Sequence, residues 1–583
     1  MATAIIWLVL GVLVLFSIGY LTYSRYLAQF VELDDSNETP AHKYEDGQEY
    51  VPAKKPVLLG HHYSSIAGGA PIVGPITAGV IWGWIPALLW IAIGNPLLGA
   101  THDFIALSSS LRHEGKSIGY IIGEYVGERG KNMLLWFAFL TIILVVAVFA
   151  FVVGVVFEAY PSAATASILY IALAVVFGVY LYQLNLPFGP GTVVFVVGVF
   201  ASVWVGLKYP ISLTAETWVP IILVYAFIAS VLPVWTLLQP RDYLSSFLLY
   251  AGVGGALLAV IVGTVGGWLN IAAITPTEPL TVNISGYNGF WGVTEQPLFP
   301  LLFITIACGT ISGFHSLVSS GTTSKQLNQE SDARVIGYGG MLGEGLLATL
   351  ALSTVALVGF TKSGGGVGQA LPNFAEGGGI MLSSFGIPVN DFGAPFMALV
   401  MVSFLLTSTD TALRLGRYMF EEIVGTPETQ VESVATNRFV NAGFQCVIAY
   451  ALVASGTWSD LWPLFGGANQ LLAALALLTA TVWLANWNKS KQLISTGVPM
   501  ALMTFVTILG LLYLALYQNL WQKFVEGGDM ALGSALSAGV QTIIALVLVG
   551  LALSLVRIGY ENITSARDGP SGQPVTDGGE SDD

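Results

Sequence analysis

Long apolar runs without charge constrain the fold of this 583-residue chain most strongly. Residues 134–156, 248–269 and 471–485 contain no charged side chain, and about 20 apolar residues suffice for a helix to cross a bilayer. Charged residues make up 10% of the chain, against about 25% in soluble domains. We therefore predict an all-α polytopic membrane protein, which excludes a soluble enzyme, a nucleic-acid-binding protein and a disordered chain.

Apolar segments of spanning length recur along the whole chain. They predict about fifteen transmembrane helices, at residues 4–24, 64–82, 84–107, 133–157, 164–183, 190–207, 217–237, 244–270, 298–320, 335–361, 391–412, 437–455, 461–485, 496–518 and 534–556. If the N-terminus lies outside, the inner loops hold all but three of the 21 Lys and Arg residues; the exceptions are Lys208, Lys362 and Lys523. Because basic residues concentrate in cytoplasmic loops, we predict an N-out, C-in orientation.

The polar ends of the chain are acidic and contribute to its net charge of -14. Residues 1–60 are interpreted as a first transmembrane helix followed by an acidic cytoplasmic loop, which holds seven acidic residues between Glu32 and Glu49. Residues 558–583 are interpreted as a disordered acidic cytoplasmic tail. A solvated, mobile state is the simplest interpretation of both segments, and adaptation to high salt is the alternative.

Two long loops and two cysteines have simple interpretations. The outside loops 271–297 and 362–390 are nearly free of basic residues, and the second contains glycine triplets at 364–366 and 377–379. We interpret the glycine-rich loop as a flexible connection, with a lid over an outward vestibule as the alternative. Cys308 and Cys446 lie in apolar segments, so we expect no disulfide framework and no thiolate metal cluster.

Three segments interrupt the regular helices. Gly68, Gly69, Ala70 and Pro71 lie in the first of them, inside span 64–82, where glycine and proline prevent a continuous helix. Pro233 and Trp235 mark the second, inside span 217–237. The third is hydroxyl-rich, lies at the end of span 298–320 and includes Ser319, Ser320, Thr322 and Thr323. Oxygen-rich clusters of this kind suit a hard cation such as sodium.

The spacing of these segments predicts an inverted repeat of five helices. The transporter core is placed at residues 61–412, with repeats at about 64–207 and 217–412. One extra helix precedes the core, and about four follow it at residues 413–557. This is the LeuT-like arrangement of amino-acid/sodium symporters, in which broken helices bind the substrate. Ser319, Ser320, Thr322 and Thr323 would then face Gly68–Ala70, and Ser319, Ser320 and Thr323 would bind Na⁺.

Ionisable side chains at membrane depth are costly and usually have a functional or pairing role. His315 lies among hydroxyl groups, and we interpret it as a substrate contact and a carrier of a coupling proton. His102 and Asp103 either form an interhelical hydrogen bond or handle protons. Glu344 has no evident partner in the sequence, whereas Asp410 is expected to pair with Arg414 one turn further on.

The sequence offers few signals for chemistry. It contains no Walker motif and no H-E-x-x-H motif, and no nucleophile and base are placed by spacing, so we expect no enzyme and no cofactor apart from a bound Na⁺. His61 and His62 stand at a membrane edge without matching ligands nearby. The expected partners are a small-molecule substrate and the bilayer; the oligomeric state stays open.

Four motifs resemble the carbon starvation protein A family. They are Gly309–Thr323, Ser65–Pro75, Ser230–Asp242 and Leu461–Leu471. The resemblance runs from about Gly60 to Leu484. It departs from the family pattern at His61-His62, where a Trp-His pair is usual, and in a chain that is shorter and more acidic.

The resemblance implies a multi-pass transporter of the prokaryotic inner membrane, in a family linked to peptide and pyruvate uptake. Members that carry pyruvate are thought to be proton-coupled. We expect a secondary active importer of pyruvate or a related monocarboxylate, or of short peptides, driven by protons or sodium. In it, the breaks at Gly68–Pro71 and Pro233–Trp235 would hold a carboxylate. The alternatives are an uncoupled channel and an amino-acid/sodium symporter of the same fold.

Overall fold

The computed structural model describes residues 3–359, 367–454, 458–487, 493–526 and 532–568. Across these residues the ordered elements are helices, and β-pairing is limited to two isolated bridges. The helices are α1 Ile5–Val31, α2 Lys55–Ile66, α3 Ala70–Trp82, α4 Trp84–Arg112, α5 Ile118–Ala159, α6 Pro161–Gln183, α7 Phe188–Lys208, α8 Ala215–Val231, α9 Leu238–Leu269, α10 Leu298–Thr305, α11 313–326, α12 Arg334–Val358, α13 Val367–Leu382, α14 Val389–Val424, α15 Arg438–Ala454, α16 Trp458–Asn486, α17 Leu493–Glu526 and α18 Leu532–Asp568.

The all-helical membrane architecture is confirmed. Eleven of the described helices are long and apolar enough to cross a membrane, and α2 with α3 forms one further bent candidate. Each of the fifteen predicted spans coincides with one of the helices or with one of the pairs α2–α3 and α10–α11. How many of them cross the bilayer, and in which orientation, stays a prediction.

Burial separates a central group of helices from those on the outside. In their most apolar stretches, 83% of α5, 89% of α14 and 100% of α16 is buried, against 28% of α7. The central helices α5 and α14 pack along each other. A polar side chain on the central helices needs a partner from a neighbouring helix, because no water reaches it there. Helix α7, in contrast, can present apolar side chains to lipid.

Two interrupted helices define the centre of the core. The helix formed by α2 and α3 bends by 45° at residues 67–69, and the helix formed by α10 and α11 is open at residues 306–312. After the first break, α3 packs on α12; after the second, α11 packs on α4. The segments after the two breaks thus pack on neighbouring helices of the same core, and the division of that core into two repeats stays a prediction.

The prediction that span 217–237 is the second interrupted helix is wrong. Helix α8 ends at Val231, and Pro233–Trp235 lies in the connection to α9. The amide of Val234 donates to the carbonyl of Gln48, so this connection lies beside the segment before α2. The proline therefore ends a helix here, as the steric restriction on the residue before proline favours.

The glycine-rich outside loop and the acidic tail are both more ordered than predicted. Within the outside loop 362–390, residues 367–382 form helix α13, and a Cβ on Gly377 would come within 2.6 Å of the side chain of Thr354. Its glycines thus allow close packing rather than flexibility; the triplet 364–366 lies outside the described residues. The predicted tail is helical as far as Asp568, and residues 569–583 also lie outside the described part.

The acidic segment 32–54 is docked on the helix ends and is not a free loop. The amides of Val51 and Ala53 donate to the carbonyls of Lys325 and Gln326. The carboxylate of Glu49 lies 3.2 Å from the Lys325 ammonium. Burial alone would raise the pKa of Glu49, but Lys325, a hydrogen bond from Tyr418 and other nearby cations outweigh it, so the pKa lies below its ordinary value of 4.5.

Glu49→Gln is expected to loosen this docking. The ion pair of Glu49 with Lys325 contributes about 1 kcal/mol to docking after a discount for the partial exposure of Glu49. Its loss in the variant corresponds to about fivefold faster hydrogen–deuterium exchange at the Val51 and Ala53 amides. Because the folded pKa is depressed, this stabilisation exists above the unfolded pKa and is lost as pH falls through the folded value. The exposed Glu45→Gln is the matched control. Equal exchange in both variants at neutral pH would contradict the assignment.

Candidate functional site

Close packing of neighbouring helices and a hydrogen bond to a free backbone carbonyl stabilise the first helix break. A Cβ on Gly69 would come within 2.6 Å of Leu405, and one on Gly68 within 3.1 Å of Phe149 and of the Ser408 hydroxyl. The Ser408 hydroxyl donates to the freed carbonyl of Ser65 at 2.9 Å. The break therefore follows from the Gly-Gly-Ala-Pro sequence, because Pro71 cannot donate and the glycines leave room for α5 and α14.

The second break meets the first. Gly309 has φ +90°, which favours glycine, and a Cβ there would lie 3.5 Å from the Cβ of Pro71. Its carbonyl accepts from the Asn95 amide at 2.9 Å. The Asn469 carbonyl oxygen accepts from the Phe314 amide at 2.8 Å. Side chains from α4 and α16 thus replace the missing helical hydrogen bonds.

Four ionisable side chains surround this junction, which we call the acid–histidine cluster: His102, Asp103, His315 and Glu344. All four are buried. His315 Nε2 lies 3.3 Å from Glu344 Oε1, and His315 Nδ1 lies 3.9 Å from Asp103 Oδ2. His102 Nδ1 lies 3.0 Å from Asp103 Oδ1, and its Nε2 lies 2.6 Å from the Ser312 carbonyl. The acid–histidine cluster thus joins side chains from three helices, α4, α11 and α12.

The charge balance of the acid–histidine cluster depends on protons. Among the described residues, the ion-pair partners of Asp103 and Glu344 are histidines, with no Lys or Arg. Neither oxygen of Glu344 meets the geometry of a hydrogen bond with a described residue. Buried carboxylates without fixed cations are costly unless a proton or another cation accompanies them. The arrangement can therefore bind and release protons.

The hydroxyl groups of α11 have other partners than Gly68. The hydroxyls of Ser320 and Thr322 donate to carbonyls one turn earlier on their own helix. Thr323 Oγ1 lies 2.9 Å from His62 Nδ1, and the Ser319 hydroxyl is buried without a described hydrogen-bond partner. The hydroxyl that does lie at Gly68 belongs to Ser408 of α14.

A second buried group of charges, the Arg241 network, was not predicted. Arg241 donates to Asp242 Oδ1 at 2.7 Å and forms a close ion pair with Asp410. His61 Nδ1 lies 2.6 Å from Asp242 Oδ2, and the Tyr225 hydroxyl donates to Asp410 at 3.1 Å. All the ion-pairing side chains are fully buried. Here a guanidinium supplies a permanent cation to both carboxylates, and the network links α2, α8, α9 and α14.

The expected pairing of Asp410 with Arg414 is wrong. The guanidinium of Arg414 donates instead to the carbonyls of Ala229 and Leu232, where α8 ends. The adjacent Arg241-Asp242 pair at the start of an apolar span was the sequence signal for the network, because buried charges need partners. His61 likewise has a ligand from a distant helix, which spacing along the chain could not show.

The comparisons identify the family. The fold is that of a helical membrane protein, and the family model described as carbon starvation protein CstA matches residues 4–364 and 364–510. The chain belongs to this family of multi-pass plasma-membrane transporters.

Named relatives cover most of the chain. The peptide transporter CstA of Helicobacter pylori is 33% identical over 86% of this chain and 81% of its own. The pyruvate/proton symporter BtsT of Escherichia coli is 32% identical over 85% and 79%. The peptide transporter CstA of Bacillus subtilis is 31% identical over 93% and 94%.

A solved structure shares the fold. A mutant of the manganese transporter from Eremococcus coleocola aligns with a TM-score of 0.50 and 11% identity, over 89% of this chain and 99% of its own. At this identity the likeness concerns the fold alone, and it supports the LeuT-like architecture predicted from the helix breaks.

Arg241→Gln is expected to destabilise the protein strongly. It leaves Asp410 and Asp242 buried without their cation, which typically costs about 3–5 kcal/mol. The midpoint temperature of thermal unfolding in detergent should therefore fall clearly. Adding Asp410→Asn to the variant should restore part of that loss of stability. Arg557→Gln, in an exposed pair with Glu561, is the control and should change little. Equal shifts in the two single variants would exclude a structural role for the network.

Proposed function

We propose that this protein imports pyruvate or a related monocarboxylate together with protons, by alternating access around the two helix breaks. One observation carries the proposal: two carboxylates and two histidines lie buried where the breaks meet, and no Lys or Arg among the described residues pairs with them. Such a cluster changes charge only by exchanging protons or cations. The proton coupling named for the Escherichia coli relative is consistent with it.

The substrate carboxylate would bind at the start of α3. Helix α3 begins at Ala70, and a helix N-terminus attracts an anion through its dipole and its free amides. Pro71 has no amide hydrogen, and the amide of Ile72 donates to the carbonyl of Gly69. The amides of Gly69 and Ala70 would therefore bind the carboxylate. Gly68, Gly69 and Pro71 shape this end. A monocarboxylate and a proton together are neutral, so their joint transfer avoids the cost of moving a net charge through a buried site.

The proton is assigned to His315 and Glu344. These side chains are 3.3 Å apart and belong to α11 and α12, of which α12 also packs on α3. Asp103 and His102 extend the pair across to α4, so a proton bound here would bias the packing of all three helices. Short peptides are the second candidate substrate, because relatives from Helicobacter pylori and Bacillus subtilis are named peptide transporters.

Uptake of labelled pyruvate into proteoliposomes tests the function. We expect accumulation above the outside concentration when an inward proton gradient is imposed, and none with a sodium gradient alone. Accumulation driven by sodium would transfer the coupling to Ser319, Ser320 and Thr323. Equilibration without accumulation would indicate a facilitator. Transport of alanyl peptides but not pyruvate would select the second substrate class.

Glu344→Gln is expected to lower gradient-driven accumulation by at least about tenfold, equivalent to 1.4 kcal/mol, because the amide cannot carry the proton. Exchange of pyruvate across the membrane without a gradient should persist. His315→Ala should abolish uptake, whereas His42→Ala, on the exposed segment before α2, should not alter the pH profile. Normal uptake with an unchanged pH profile in His315→Ala would refute the assigned role.

A further inference from the structure

The acid–histidine cluster borders a thiol that proton transport does not use. Cys308 lies in the second helix break and is buried. One ligand atom each from Cys308, His315 and Glu344 lies within 4.8 Å of the other two. Three different donor types therefore converge: sulfur from the segment joining α10 to α11, nitrogen from α11 and oxygen from α12.

Several polar atoms of this arrangement are buried without a described hydrogen-bond partner and are free to act as ligands. Both carboxylate oxygens of Glu344 and the Nε2 of His315 are buried. None of these three atoms meets the geometry of a hydrogen bond with a described residue. The Asn469 amide donates to Cys308 Sγ at 3.1 Å. Met341 Sδ lies 3.2 Å from His315 Nδ1 and adds a second soft donor next to the site.

We propose that Cys308, His315 and Glu344 bind a thiophilic divalent transition-metal ion, of the Zn²⁺ class, and that the ion blocks transport by replacing the coupling proton. Tetrahedral zinc, with bonds of about 2.0–2.3 Å, requires ligand atoms roughly 3.3–3.8 Å apart. The 3.3 Å between His315 and Glu344 fits. Binding releases the Cys308 thiol proton to water, since the ligand is the thiolate.

The hard ions of ordinary salt suit this site poorly. Sodium, magnesium and calcium prefer oxygen ligands, whereas thiolate with imidazole selects zinc and its softer neighbours. Every ligand is buried, so an ion enters only in a conformation that opens the junction. The binding of metal stands on these ligands alone; the block of transport rests on the proposed function.

Cobalt titration of the full-length protein in detergent tests the binding. Tetrahedral Co²⁺ bound through a thiolate gives a sulfur-to-metal charge-transfer band, and Zn²⁺ should displace it at one equivalent. Cys446→Ser removes the other cysteine, in α15, and should leave the band unchanged. Cys308→Ser should lose the band and weaken Zn²⁺ binding by more than about 10–100-fold, the loss that even an outer-shell partner causes.

Glu344→Gln guards against misfolding as an explanation, since it keeps the sulfur and should retain a weaker band. Absence of the band in the wild-type protein, its loss in Cys446→Ser, or its persistence in Cys308→Ser would overturn the site.

Zinc inhibition of uptake tests the second half of the proposal. Wild-type protein and Cys446→Ser should be inhibited alike, and Cys308→Ser, relative to its own zinc-free rate, should need at least about tenfold more Zn²⁺. Equal sensitivity of all three would overturn the block. A cobalt band with uptake that ignores protons would keep the site and refute the proposed function. Proton-driven uptake without a band would do the reverse.

Discussion

Everything at the centre of this protein depends on satisfying backbone groups that two broken helices release inside the bilayer. The hydrocarbon core of a bilayer holds no water to hydrogen-bond these groups, so protein groups must do so. Ser408 captures the carbonyl of Ser65, and Asn95, His102 and Asn469 bind groups of the second break. These partners come from three helices beside the breaks, α4, α14 and α16, and they fix where the breaks meet.

Two buried groups of charges in this core have different physical characters. In the Arg241 network the guanidinium lies between two carboxylates and stays charged at all ordinary pH values, so we assign it the role of joining helices. The acid–histidine cluster has no such fixed cation among the described residues. Its charge follows protonation, which is the property that a coupling site requires. His61 and His62 are neighbours on α2: His61 contacts Asp242 of the Arg241 network, and His62 contacts Thr323 on α11, the helix that carries His315.

The sequence alone predicted the helices and the first break well, because apolar length and the Gly-Gly-Ala-Pro segment are local signals. It also singled out His102, Asp103, His315 and Glu344, since ionisable residues stand out in apolar segments. It could not show that they meet, because residues from 102 to 344 come together only through packing. Pro233–Trp235 was misplaced for a related reason: proline is equally compatible with a helix break and a helix end. The glycines of α13 were interpreted as flexibility, whereas they lie in close packing that only tertiary structure reveals.

The central claim is that the acid–histidine cluster carries a proton that travels with the substrate. The most direct measurement is the lumen pH of proteoliposomes, reported by a trapped dye when pyruvate is added, with protein-free liposomes as the baseline for diffusion of pyruvic acid. The account predicts acidification that accompanies pyruvate uptake and disappears in Glu344→Gln. Pyruvate uptake by the wild-type protein with no change in lumen pH above the baseline would contradict it.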